Sequence, residues 1–117
     1  MKELTSHKVN ECNGSLIVRA VDEPGHGGAH HEYRIACPAG TLEIVFQNGP
    51  IKEVGVNGIT NEALLAIVRD RLEGFQTGPY KCRENELALV KIEEAQHWLS
   101  HRTWEREQRG VEGTHKV

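Results

Sequence analysis

From Arg83 to Arg109 the chain runs without a proline or a glycine, and no other stretch constrains the fold as strongly. Those two residues are the usual helix breakers, so the stretch predicts one continuous helix about 40 Å long. Leu87, Val90, Ala95, Trp98 and Leu99 supply much of its apolar stripe. A shorter helix is expected ahead of it, from Asn61 to Glu73. Thr60 suits its N-cap, Glu62 suits the positive end of the helix dipole, and Leu64, Leu65, Val68 and Leu72 follow helical spacing. Gly74 reads as its C-cap, and Gly78–Pro79 breaks the link that follows. Two such helices predict an antiparallel hairpin. The first covers only about half of the second. The distal part, with Trp98 and Trp104, must meet water, the N-terminal sheet or another chain. A tryptophan is costly to leave in water, so a homo-oligomer is expected.

The first half has a different pattern. Ser15–Val21, His31–Cys37 and Thr41–Gln47 read as strands, the last two by alternation. Asn48–Gly49 reads as a hairpin turn and Ile51–Val54 as a short last strand. Sequential strands with short turns favour an antiparallel meander. The expected class is α+β: a small N-terminal antiparallel β-sheet over 1–58, followed by a two-helix hairpin over 59–117, in one domain. The first 20 or so residues show no recognisable pattern of their own.

Charge and cysteine content narrow the function classes. Net charge is −3, which argues against a duplex-binding face but leaves room for a small anion held by a few arginines. Cys12, Cys37 and Cys82 form no C-x-x-C pair, so neither a disulfide framework nor a zinc ribbon is expected. With no apolar leader and no apolar run of membrane length, a cytosolic protein is expected.

Five features merit a chemical reading. His26, His30 and His31 in GHGGAHH admit a metal site, a phosphate-contacting loop or a solvated loop; their spacing is poor for a metal. Cys82 admits a nucleophile at a helix start or a half-buried structural thiol. GVNGITNE matches neither a dinucleotide fingerprint nor a P-loop and reads as a turn entering a helix. Arg102, Arg106 and Arg109 share one helix face, either as dipole-favoured surface residues or as a phosphate clamp. Phe75, placed by the Gly74 cap in the interhelical link, is either a plug between helices or a platform for a base.

Three segments together resemble one known family: GGAHHEY, then FQNGPIKEVGVNGITNEALLAIVRDRLEGFQTG, then CREN, ALVKIEEAQHWL, HRTWERE and RGVEGTH in order. They are similar to the phage anti-Thoeris and anti-CBASS sponges, in the branch with a sheet before the helical hairpin. The resemblance implies dimers, often hexamers, that bind a cyclic ADP-ribose isomer, cyclic dinucleotides and, at separate sites, cyclic trinucleotides in the host cytoplasm. It implies no catalysis, no cofactor and no metal. By position it places a base-stacking role on Phe75, a polar partner on Asn85, and phosphate contacts on Arg102 and Arg106. The tail Gly110–His115 would close over ligand, adding Arg109, Gly113 and Thr114.

Asn85 and Arg102 lie 17 residues apart in sequence, about 25 Å along a helix. If all four residues serve one pocket, the arginines come from a neighbouring subunit. Two other readings fit the sequence: an enzyme degrading the same signal with His30, His31 or His115 as base, and a structural phage protein.

Overall fold

Alternation along three neighbouring strands builds the sheet and gives it two chemically distinct faces. The computed structural model describes residues 1–117. Its first strands are β1 (Lys2–Leu4), β2 (Ile17–Ala20), β3 (Glu32–Cys37) and β4 (Gly40–Val45), antiparallel in the order β1-β2-β3-β4. The register places Leu4, Val18, Ile35 and Leu42 in one row, and Ala20, Tyr33 and Ile44 in the next row on the same face. Glu3, Arg19, Arg34 and Glu43 form a row on the other face, with ion pairs Arg19–Glu3 at 4.0 Å and Arg34–Glu43 at 3.3 Å. Tyr33 packs edge-on against Phe46 at 5.6 Å. Ala20 is the one fully buried apolar residue, and Leu42 stays 59% exposed.

The meander stands as expected, with two differences. β1 was not anticipated, because three residues are too few to show alternation. A helical turn, α1 (Glu11–Gly14), also lies in the unpatterned start, capped by the Asn10 side chain accepting from the Asn13 N–H. The second difference is a correction: Ile51–Val54 is a single helical turn, α2, and not a strand. Pro50 fixes an extended φ ahead of it, Val54 N–H and Gly55 N–H donate back to the Pro50 and Ile51 carbonyls, and Gly55 leaves at φ 73°. Asn48–Gly49 is therefore no hairpin turn. Asn57 closes the base of this excursion: its side chain accepts from Asn48 N–H and donates to the Asn48 carbonyl. The chain then re-enters beside β4 through a parallel bridge between Phe46 and Ile59.

The helices are α3 (Asn61–Gln76) and α4 (Arg83–Gln108), packed as a hairpin. The Thr60 hydroxyl caps α3 by accepting from Ala63 N–H. On α4 the half-buried residues are Cys82, Asn85, Leu89, Ile92, Ala95, Gln96, Leu99, Thr103 and Arg106. All but Ala95 follow alternating steps of three and four, the spacing of a coiled-coil seam. A polar layer crosses that seam: Arg69 donates to Gln96 and pairs with Glu73 and Glu93. The chain separates into two compact units, residues 1–48 with 56–59, and residues 49–55 with 60–117.

Gly58 tests the return strand. A Cβ there would lie 2.6 Å from the Phe46 carbonyl oxygen and 2.7 Å from the Gln47 nitrogen. Gly58→Ala should therefore cost about 1–3 kcal/mol by urea unfolding, the range for forced overpacking. An unchanged midpoint would mean the bridge is not formed.

Candidate ligand site

The interhelical loop sets one end of the site. Gln76 clamps it: the Gln76 side chain donates to the Cys82 carbonyl and accepts from the Cys82 N–H, each at 3.1 Å. Cys82 then caps α4, its sulfur accepting from Asn85 N–H at 3.4 Å. The thiol thus has a structural task, consistent with its half-buried position.

Phe75 lies inside the last turn of α3, not in the link, because the helix runs through Gly74. Thr77 ends the helix: its N–H and its hydroxyl both donate to the Gly74 carbonyl. Phe75 is 37% exposed, and the Arg71 guanidinium lies over its ring at 5.2 Å. One ring face is thus occupied by a cation one helical turn back. Asn85 sits at the start of α4, at the same end of the hairpin, and its side-chain amide makes no bond within the chain.

The arginines lie at the far end of α4, and they are not equivalent. Arg102 is exposed and has no partner. Arg106 is held on several sides. Gly110, at φ 70°, turns the chain back after α4, with Val111 N–H on the Arg106 carbonyl and Gly110 N–H on the Glu107 carbonyl. The returning segment then brings its carbonyls to the Arg106 side chain. That guanidinium donates to Lys116 at 2.7 Å, Val111 at 3.0 Å and Thr114 at 3.2 Å, and its Nε faces Glu112 at 3.5 Å. Arg109 donates to the Val117 carbonyl. Gly113 gives its N–H to Glu112 and its carbonyl to the Lys52 N–H of α2. The Thr114 hydroxyl donates to the Val111 carbonyl.

So the structure groups Phe75 with Asn85, and Arg102, Arg106 and Arg109 with Gly113 and Thr114. Within one chain the two groups sit at opposite ends of α4. Sequence reasoning did not single out Arg71 or Glu112; the i, i+4 spacing of Arg71 and Phe75 was a readable signal for the first.

The histidine loop is organised around Asp22. Its carboxylate accepts from His31 N–H at 2.9 Å and Glu32 N–H at 3.1 Å, while the His30 ring contacts its carbonyl at 2.7 Å. No three metal-ligating side chains converge anywhere in the chain. No helix is long and apolar enough to cross a membrane.

Two outcomes follow from this chemistry. Arg106→Ala should lower stability by on the order of 2 kcal/mol, since it strands three carbonyls and a carboxylate, whereas Arg102→Ala should change it by less than about 0.5. Equal losses in thermal melts would contradict the asymmetry. For Asp22, the His31 N–H bond foremost, then the Glu32 N–H and the nearby His30, hold its pKa below the usual value, against partial desolvation. A lowered folded pKa gives stability that is full above the unfolded value and is lost as pH falls through the folded one. Protection of the His31 and Glu32 amides should therefore fall below about pH 4, and Asp22→Asn should weaken it already at neutral pH. Protection unchanged in Asp22→Asn would show that the carboxylate does not order the loop.

Comparison with known proteins identifies the family. Residues 38–104 match the model of the Acb2/Tad1 hairpin domain. That span includes Phe75, Asn85 and Arg102 and stops short of Arg106 and the tail. The chain is also 49% identical over 104 residues to Thoeris anti-defense 1 of Bacillus phage SBSphiJ7, covering 88% of this chain and 73% of that protein. The chain belongs to the Acb2/Tad1 hairpin family, the phage anti-Thoeris family that its motifs resemble.

Proposed function

We propose that this protein is a phage anti-defence sponge, which sequesters cyclic nucleotide immune signals in the host cytoplasm without degrading them. Its ligands are cyclic ADP-ribose isomers, cyclic dinucleotides and cyclic trinucleotides. The observation that carries the reading is the split site. A base platform with an unpaired amide stands at one end of α4, and a free arginine fork stands at the other. Neither half holds a nucleotide well alone. In an antiparallel pair of chains, each end meets the other's complement, and a two-fold dimer carries two identical pockets. Base stacking and charge-assisted bonds supply affinity with no acid, base or nucleophile required.

Exposed aromatic surface on α4 supports the assembly. Trp98 and Trp104 remain 58% and 56% exposed on α4, with His101 stacked on Trp104. Dimers, and hexamers built from them, give these rings a place out of water. Light scattering should thus show a particle at least twice 13.1 kDa.

Heating a loaded complex should return intact ligand. Recovery of a cleaved product would identify an enzyme instead, and failure to bind any cyclic nucleotide would favour a structural protein. Phe75→Ala should weaken adenine-containing ligands by roughly 1–3 kcal/mol while the fold survives. Mixing Phe75→Ala, Asn85→Ala chains with Arg102→Ala, Arg106→Ala chains should restore up to half the sites in mixed dimers. No recovery despite subunit exchange, verified by native mass, would overturn the shared pocket.

A further inference from the structure

We propose that His97 and His101 on α4 form a two-histidine chelate for a divalent transition metal that prefers imidazole, copper foremost. The pair lies outside the residues assigned to nucleotide capture, and the sponge reading makes no use of it.

Histidines four residues apart on a helix share one face, with Cβ atoms about 5–6 Å apart, and helical zinc sites use this spacing. The segment HWLSH has it. The two rings project to the same side: their planes are 21° from parallel and their centres 6.4 Å apart. For one metal to sit about 2.0–2.1 Å from a nitrogen of each, the rings must close by about 1 Å. Both side chains are exposed, so rotation can supply that closure. His97 makes no hydrogen bond or ion pair within the chain, and the polar partner of His101 is the Glu105 carboxylate, 3.9 Å from Nε2. That carboxylate attracts a dication to the pair. Arg102, the next residue, lies about 100° round the helix from His101.

Two protein ligands leave the other coordination positions to water, and no third ligating side chain converges on the pair. Neutral imidazoles favour copper, then nickel and zinc, over magnesium or calcium. The Trp98 ring meets both histidines edge-on, at 5.0 Å from His97 and 6.0 Å from His101, and Trp104 stacks on His101 at 5.9 Å. The indoles give the pair an apolar flank, which limits water at the metal. They are also the chain's 2 tryptophans, so its tryptophan fluorescence reports on this strip alone.

The test titrates the full chain with Cu²⁺, Ni²⁺ and Mg²⁺ and follows that fluorescence. Cu²⁺ should quench it and saturate at one metal per chain, Ni²⁺ should act at higher concentration, and Mg²⁺ should leave it unchanged. Chelation makes the second bond intramolecular, so loss of either histidine forfeits most of the affinity. His97→Gln and His101→Gln should each raise the half-quenching concentration roughly tenfold or more, and the double variant should be little worse than either. Glutamine is a good helix former, so circular dichroism should not change. Without any substitution, electron spin echo spectra of the copper-loaded chain should show two imidazoles on the metal. Absence of quenching by Cu²⁺, equal quenching by Mg²⁺, or a single imidazole on the copper overturns the proposal. So does a single variant that keeps the midpoint of the unaltered chain, the mark of two histidines acting separately.

Discussion

The seam along α4 is the constraint on which the rest of the second unit depends. Its residues step by three and four from Cys82 to Arg106, so one face of a 26-residue helix asks for cover along its whole length. α3 has 16 residues and, starting from the Gln76–Cys82 clamp, reaches only to about the level of Leu99. Beyond that point the seam needs another partner. The tail supplies it at Arg106, folding back through the positive-φ turn at Gly110. Leu87, Val90, Trp98 and Trp104 are exposed on α4 outside the seam, with nothing within the hairpin to cover them. One helix is therefore asked to satisfy a hairpin partner, a tail and a further surface.

That division explains why two arginines one turn apart have different properties. Arg106 falls on the seam, where a charged side chain stays only if its donors are met, and the tail carbonyls meet them. Arg102 falls off the seam and keeps its donors for something else. Sequence spacing alone puts both on one broad face; only the alternating steps of the packed side separate them.

Much of this was legible in the sequence, and the misses have physical causes. The Pro- and Gly-free run marked α4, Thr60 marked the start of α3, and alternation marked β3 and β4. Gly74 misled because a glycine near a helix end is the usual stop signal; here the Thr77 N–H and hydroxyl carry the last turn past it, and Phe75 moves into the helix. Ile51–Val54 misled because a short apolar run reads the same in a strand and in a helical turn, and the flanking Pro50 and Gly55 decide between them. β1 is too short for any pattern. The four main site residues were placed by resemblance, and position in the chain said nothing about which donors were already spent. Glu112 and the carbonyls around Arg106 were invisible, because backbone acceptors leave no mark on residue type.

Electrostatics at the end of α4 gives the arginines a further role. A helix C-terminus carries about half a negative charge, which opposes any anion brought near it. Glu105, Glu107 and Glu112 add to that opposition, and the whole chain is at −3. Long-range attraction therefore contributes little to anion capture at this place. Arg102, Arg106 and Arg109 first offset the dipole and the local carboxylates, and what remains acts only at hydrogen-bond distance. The proposed capture of an anion here would depend on fit to planar forks more than on net field, and fit is the property that distinguishes arginine from lysine. It also follows that binding at this site should be less sensitive to salt than binding to a basic surface patch, because few released counterions accompany it.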